Sequence, residues 1–310
     1  CFEVLDKDLC PRYTAKLVEN IKAGPSPLWL RHRLAAAGIR SISNIVDISN
    51  YVMLEMNQPS HTFDYDLLAD HKIIVRRAKE GETIVTLDDQ ERLLTNDMLL
   101  ICDGERPVGI AGVMGGQNTE ITPETKNILI ECAAFYPKSI RLTSRKLGLA
   151  SEAASRFEKG IDIAGVEQAS NRICQLLCEL ADGVLVEGTL DSHTGDFPEK
   201  KVDMIFEHAR KTIGVEIDDD TMIGIMDALA FSHQAIAGGL RVTVPHYRMD
   251  IEREVDLIEE VARLNGYDKI PATLPVGQMT EGKKNKSQRV TDKIKTIMVA
   301  MGFSEVITYS

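Results

Sequence analysis

Aromatic residues make up only 5% of this 310-residue chain, with a single tryptophan, and no apolar run is long enough to cross a bilayer. A spanning helix needs ~20 such residues, whereas the longest stretches here, such as MLLIC from Met98, are strand-sized. The expectation is a soluble chain of the reducing cytoplasm. The 6 cysteines show no CxxC spacing, which argues against a zinc ribbon or a disulfide scaffold. Cys174 and Cys178, four apart on an expected helix, read as neighbours on a buried face. Positive charge is short as well: 36 Lys and Arg against 47 Asp and Glu leave a net charge of −11. A general nucleic-acid surface needs clustered cations to neutralise phosphates, so a nucleic-acid partner would have to be held mainly elsewhere. An initiating methionine is missing too. The chain starts at Cys1 and stops after the strand-like FSEVITYS, so both ends read as cuts through a longer polypeptide.

What is present is a mixed α and β pattern with room for two or three cores, since domains cluster at about 100–200 residues. RYTAKLVENI from Arg12 alternates like a strand, and Ser26-Pro27 reads as a cap plus first-turn proline opening a helix over 28–37 that Gly38 stops. Short β-rich runs (IIVRRA, TIVTL, MLLIC) are separated by turn signals at Glu80-Gly81 and Asp88-Asp89. Helices are expected over 137–147 and 165–180, the second ended by Asp182-Gly183. A polar stretch from His193 to Lys201 reads as a linker. Beyond it come a strand (VDMIF), a short helix ended at Gly214, a helix opened by Asp218, two strands around Gly238-Gly239 and a long helix from Ile251 to Asn265. After Pro271 to Pro275, the basic connector EGKKNKSQR leads into one more helix. The expected domains are therefore 1–192, 198–273 and the truncated start of a third module at 280–310.

The stretch NIVDISNYVMLEMNQPSHTFD, Asn44 to Asp64, reads as a helix running into a polar loop with Gln58, Pro59, His61 and Asp64. Ile45, Ile48, Val52 and Leu54 fall near helical spacing as a core face, with Asp47, Ser49 and Asn50 elsewhere around it. This string resembles the editing module of the bacterial phenylalanyl-tRNA synthetase beta-subunit family. In the same order follow GVMGG from Gly112, ILIECAAF from Ile128, RLTSRKLGLASEAASRFEKGID from Arg141 and VPHYRMDIEREVDLIEEVARLNGYDKIP from Val244, so the likeness covers essentially the whole chain. The fold it implies is α+β, a mixed strand-rich editing domain followed by a small winged-helix-like α+β domain.

The chemistry implied by the resemblance is hydrolysis of tyrosine mistakenly esterified to tRNA. Tyrosine is phenylalanine plus a hydroxyl, and a hydrophobic pocket rejects an added hydroxyl by only about a hundredfold, whereas a pocket built to hydrogen-bond it discriminates by roughly 10⁴ to 10⁵. Glu131 stands alone in an apolar strand, where a carboxylate is expensive without a partner. On its own it reads as a solvent-facing or ion-paired residue, and by resemblance as the acceptor of the tyrosine hydroxyl. His61 suits the positioning of a water or ordinary loop hydrogen bonding, and the resemblance puts it in the editing pocket with Glu131. By resemblance Ser49, Asn50, Gly115, Ser151 and Ala153 bind substrate, the two serines replacing the family's usual threonine. The glycines of GVMGG let backbone approach a ligand, or simply turn between strands. No Ser-His-Asp or Cys-His arrangement stands out, so a positioned water is expected rather than a covalent intermediate. Arg31, Arg33, Arg141, Arg145 and Lys146 read as contacts to the 3′ end of tRNA or as surface charge, and Arg156 with Glu158 as an internal ion pair.

Asp250, Asp256, Glu259 and Glu260 form a second group, the last three on one helix face. Spacing alone reads as a solvated acidic face. The resemblance implies carboxylates for a magnesium ion shared with an alpha subunit, weak or absent in this chain by itself. It further implies a heterotetramer of two alpha and two beta subunits, a phenylalanine-specific tRNA, and aminoacylation with ATP carried by the alpha subunit. A different class of reading keeps the chain as an interaction module for alpha-subunit assembly. A nucleic-acid-binding winged helix is a third, against which the acidic helix argues.

Overall fold

The computed structural model describes residues 2–193, 195, 197–274, 277 and 282–309. The readings that rest on Cys1, Thr194, Asp196, Pro275, Thr280, Glu281 and Ser310 fall outside the described residues in part. In chain order the elements are β1 (Phe2–Val4), β2 (Arg12–Glu19), α1 (Leu28–Ala36), α2 (Asn44–Met56), β3 (Ser60–Asp64), β4 (Ile73–Arg77), β5 (Thr83–Val85), β6 (Glu91–Leu93), β7 (Leu99–Cys102), β8 (Pro107–Ile110), β9 (Met114–Gly115) and β10 (Ile128–Ala134). There follow α3 (Pro137–Leu147), α4 (Glu152–Phe157), α5 (Val166–Leu180), β11 (Val184–Leu185) and β12 (Leu190–Asp191). Then come β13 (Lys200–Ile205), α6 (Phe206–Ile213), α7 (Asp219–Ala228), β14 (Ser232–Ile236), β15 (Gly239–Val244), α8 (Glu254–Asn265) and α9 (Lys286–Ala300). Residues 1–267 form one compact unit and 268–310 a second.

The first core lies between two sheets. One runs β11-β2-β10-β3, with β12 also on β2, and the other β1-β4-β7-β8-β9. Every residue of β10 is buried, which its apolar sequence ILIECAA requires of a strand covered on both faces. On one face Lys16 and Thr14 of β2 lie with Cys132 of β10 under α5, where Lys16 bonds Asn171. On the other, Tyr13, Glu131, His61 and Phe63 point toward the second sheet, following the period of two. A smaller core, including Met204, Met222, Met226, Val242, Leu257 and Val261, joins the β13-β15-β14 sheet to its helices.

Local geometry departs from several expectations. At ~100° per residue Leu54 falls opposite Ile45, and it is exposed while Met53 takes the core position. Asp47 is fully buried on α2, accepting from Ser26 Oγ, Ser41 Oγ and Ile42 N. Ser26 is thus committed to Asp47 and Pro27 is the N-cap of α1, with no side-chain cap. Asn57, at φ 55°, ends α2 just before the polar residues read as a loop, but that loop is brief and His61 sits on strand β3. The long helix of the second core starts at Glu254 rather than Ile251, because the Asp256 carboxylate takes the N–H groups of Glu252 and Arg253 and closes the first turn. In the stretch read as a linker, His193 stacks on Phe197 at 4.3 Å and the Phe197 ring meets His246, while Pro198, Glu199 and Lys200 are exposed. Arg156 pairs with Glu152, not Glu158, one helical turn back. FSEVITYS shows no strand among its described residues.

Candidate functional site

Glu131 and His61 face each other as register partners on β10 and β3. Together with Gly115, Ala153, Phe63, Ile101 and Phe157 they line a cavity of ≈110 Å³. That is somewhat below the ~150 Å³ of an apolar cavity that holds benzene, so a single aromatic ring is the largest group it takes. Glu131 is 6% exposed, and the one hydrogen bond to its carboxyl among the described residues comes from Tyr13 Oη at 3.2 Å. The cations of the neighbouring strand do not help it. Arg12 bonds Asp191 and the carbonyls of Ile163 and Ala164, and Lys16 bonds Asn171, both on the opposite face of the sheet. Burial without a counter-charge therefore pushes the carboxyl up to about 8, against the smaller opposing pull of the Tyr13 hydrogen bond.

His61 belongs to two cavities. The second, ≈700 Å³, is lined among others by Ser49 and Asn50 of α2, Ser43, Leu87, Ile121 and Pro123, a volume within the range of small-molecule and cofactor sites. Burial lowers the imidazole to about 4, so it is neutral near pH 7, and its enclosed Nε2 has no hydrogen-bond partner among the described residues. Such a ring can orient a water by one hydrogen bond but is a poor proton acceptor. Ser49 Oγ is tied to Ser60, the residue that also borders both cavities.

Four predicted residues, His61, Glu131, Gly115 and Ala153, thus meet at the small cavity, while Ser49 and Asn50 line the larger one with His61. Ser151 lines neither. It N-caps α4 by accepting from Ala154 N and donates to Val113 O at 2.8 Å, fastening the GVMGG turn to the helix that carries Ala153. In GVMGG the Val113 and Gly116 N–H groups are already given to Ile110 O and Val108 O and so are not free for a ligand, whereas the turn's glycines permit close approach. Gly115 shows it directly: a Cβ there would lie 2.3 Å from His61 Cε1 and 2.6 Å from Nε2. Gly115→Ala should therefore displace the imidazole and cost about 1–3 kcal/mol, read as a lowered melting temperature and a shifted His61 Cε1–H resonance. An unmoved resonance would contradict the packing. Of the basic residues, Arg33 bonds the Tyr51 hydroxyl and Lys146 pairs with Asp97, and none of the five lines either cavity.

The acidic helix does not assemble a metal site. Among the described residues no group of three or more His, Cys, Asp or Glu side chains is placed to hold a metal. Asp250 pairs with Arg248, Glu260 with Arg248 and Arg263, Asp256 closes the start of α8, and Glu259 is exposed. Three of the four carboxylates already have donors and Glu259 stands exposed, so a magnesium ion does not fit the described residues of this chain alone. Millimolar MgCl₂ should leave the thermal melt unchanged, whereas Glu260→Ala should lower it by a few degrees by unpairing two guanidiniums around a half-enclosed site. A magnesium-dependent rise in the melt would restore the metal reading.

No helix among the described residues is long and apolar enough to cross a membrane. The family model for the B3/4 domain matches residues 9–182, the tRNA synthetase B5 domain residues 202–267, and the phenylalanyl tRNA synthetase beta chain CLM domain residues 270–310. The phenylalanine–tRNA ligase beta subunit of Geobacter metallireducens is 47% identical over 308 residues, 99% of this chain and 38% of the relative. That of Syntrophus aciditrophicus is 46% identical over 314 residues, again 99% of this chain and 39% of the relative. The chain thus spans well under half the length of these relatives. A solved N-terminal fragment of the Pyrococcus horikoshii phenylalanyl-tRNA synthetase beta subunit overlaps 86% of this chain and 74% of its own, at 16% identity and a TM-score of 0.41. With three family models in consecutive order and near-complete coverage by relatives at this identity, the chain belongs to the phenylalanine–tRNA ligase beta-subunit family.

Proposed function

We propose that this chain carries an editing site that hydrolyses the ester of tyrosine mischarged onto phenylalanine-specific tRNA. The observation that carries the reading is the ring-sized cavity with an uncharged-partner carboxyl, Glu131, on its wall. The aminoacyl ring enters this cavity with its hydroxyl on Glu131, the terminal nucleotide occupies the larger one beside Ser49 and Asn50, and the ester lies at His61, which both share. Ala153 and Gly115 keep room for the ring and for the imidazole. Water adds to the ester carbonyl carbon, the bond to the ribose oxygen breaks, and that oxygen takes a proton, releasing tyrosine and free tRNA. The neutral His61 orients the water. Aminoacylation with ATP, the alpha-subunit partner and any magnesium shared with it belong, in this proposal, to the assembled synthetase in the cytoplasm.

The interaction-module reading draws on one observation. Helix α9 buries none of its residues, and Val290, Ile294, Ile297, Met298 and Met301 are exposed at helical spacing. Tyrosine release from tyrosyl-tRNA by the chain separates the two: hydrolysis well above the spontaneous rate supports editing, and none in a folded sample favours the module.

A further inference from the structure

Tyr13, which stands out in neither charge nor motif, is fully buried and rests on Phe2 with ring centroids 5.5 Å apart. Its register partner on β10 is Ala133, so it lies one diagonal step from Glu131 on the same face. Its hydroxyl reaches Glu131 Oε2 at 3.2 Å and leaves Oε1 without a hydrogen bond from any described residue. We propose that Tyr13 is a positioning residue that anchors one carboxyl oxygen of Glu131 so that the other is presented to the hydroxyl of the bound aromatic side chain. This rests on the editing reading above.

The arrangement puts two phenols on one carboxyl, the protein's own and the ligand's. The titratable groups facing it are Tyr13 and Cys10 on the β2 side and His61 on β3, while Cys132, the next residue of β10, points to the opposite face with Arg12 and Lys16. None of the facing groups is a cation at neutral pH, since burial raises the thiol and phenol and lowers the imidazole. A donated hydrogen bond is therefore the means left to favour the ionised carboxylate, which accepts the ligand hydroxyl best. Tyr13→Phe removes that bond with little change of shape and shifts the titration of Glu131 to higher pH.

The test is the pH profile of kcat/KM for tyrosyl-tRNA hydrolysis by the full-length enzyme, for the parent, Tyr13→Phe, Glu131→Gln and the double variant. Tyr13→Phe should lower kcat/KM at pH 7 about tenfold, mainly through KM, and recover part of it by pH 9. Glu131→Gln should flatten the profile, and Tyr13→Phe should add less than twofold on that background. An equal loss at every pH, or losses that multiply, would overturn the role of Tyr13. Glu131→Gln with parent-like hydrolysis would instead remove the reading on which the role rests. A carbon-13 NMR titration of the Glu131 carboxyl checks the anchor without activity: an unshifted midpoint in folded Tyr13→Phe also overturns it.

Discussion

Glu131→Ala should lower discrimination between tyrosyl and phenylalanyl esters about tenfold to a hundredfold, the loss of a hydrogen bond to a charged or chargeable acceptor. The same change should make the protein more stable in alkali. The folded carboxyl titrates near 8 and an unfolded one near its ordinary value, so between about pH 4.5 and 8 the unfolded chain binds fewer protons and stability falls as pH rises. The cost is on the order of a few kcal/mol, complete above pH 8 and absent in acid. His61 works in the other direction. Its folded value near 4 lies below the ordinary one, so stability falls as pH drops from about 6.5 toward 4. Between roughly pH 6.5 and 8 only the Glu131 slope remains, and Glu131→Gln should abolish it in thermal or denaturant melts. A variant less selective yet more stable at pH 8 marks a group kept for binding. If the slope persists without the carboxyl, another group is responsible.

Ala153→Trp should abolish hydrolysis of tyrosyl-tRNA while leaving aminoacylation by the complete enzyme intact. Ala153 is half-buried on α4, against the ring-sized cavity and close to the buried Phe157. An indole is larger than the space available, so it fills the site or is driven outward, at a packing cost of about 1–3 kcal/mol. The measurement is deacylation by a variant shown to be folded by circular dichroism. Deacylation at the parent rate would place the ring elsewhere.

Much of this molecule could be read from local chemistry. Gly81, Gly148, Gly214 and Asn57 adopt positive φ where turns or helix ends were expected, and α3 spans the predicted residues because Pro137 opens it and Gly148 closes it. The isolated carboxylate in ILIECAAF reads on its own as a solvent-facing or ion-paired residue, and the resemblance alone marks it as a candidate acceptor. What stayed hidden depends on contacts distant in sequence. Asp47 passes for a solvent-facing helix residue until Ser26 and Ser41 fold over it, and His61 passes for a loop residue until β10 pairs with β3. The Tyr13 to Glu131 bond spans 118 positions, and only the β2-β10 register brings it about. For the acidic helix, spacing places the carboxylates near one another, and what it could not show is that Arg248, contributed from before the helix, pairs with Asp250 and Glu260.

The most direct measurement compares binding of L-tyrosine and L-phenylalanine to this chain by isothermal calorimetry at pH 7, with Glu131→Gln as control. The account predicts that tyrosine binds at least tenfold more tightly than phenylalanine and that the control erases the difference. Equal affinity for the two amino acids, or a tyrosine preference that survives Glu131→Gln, would contradict it.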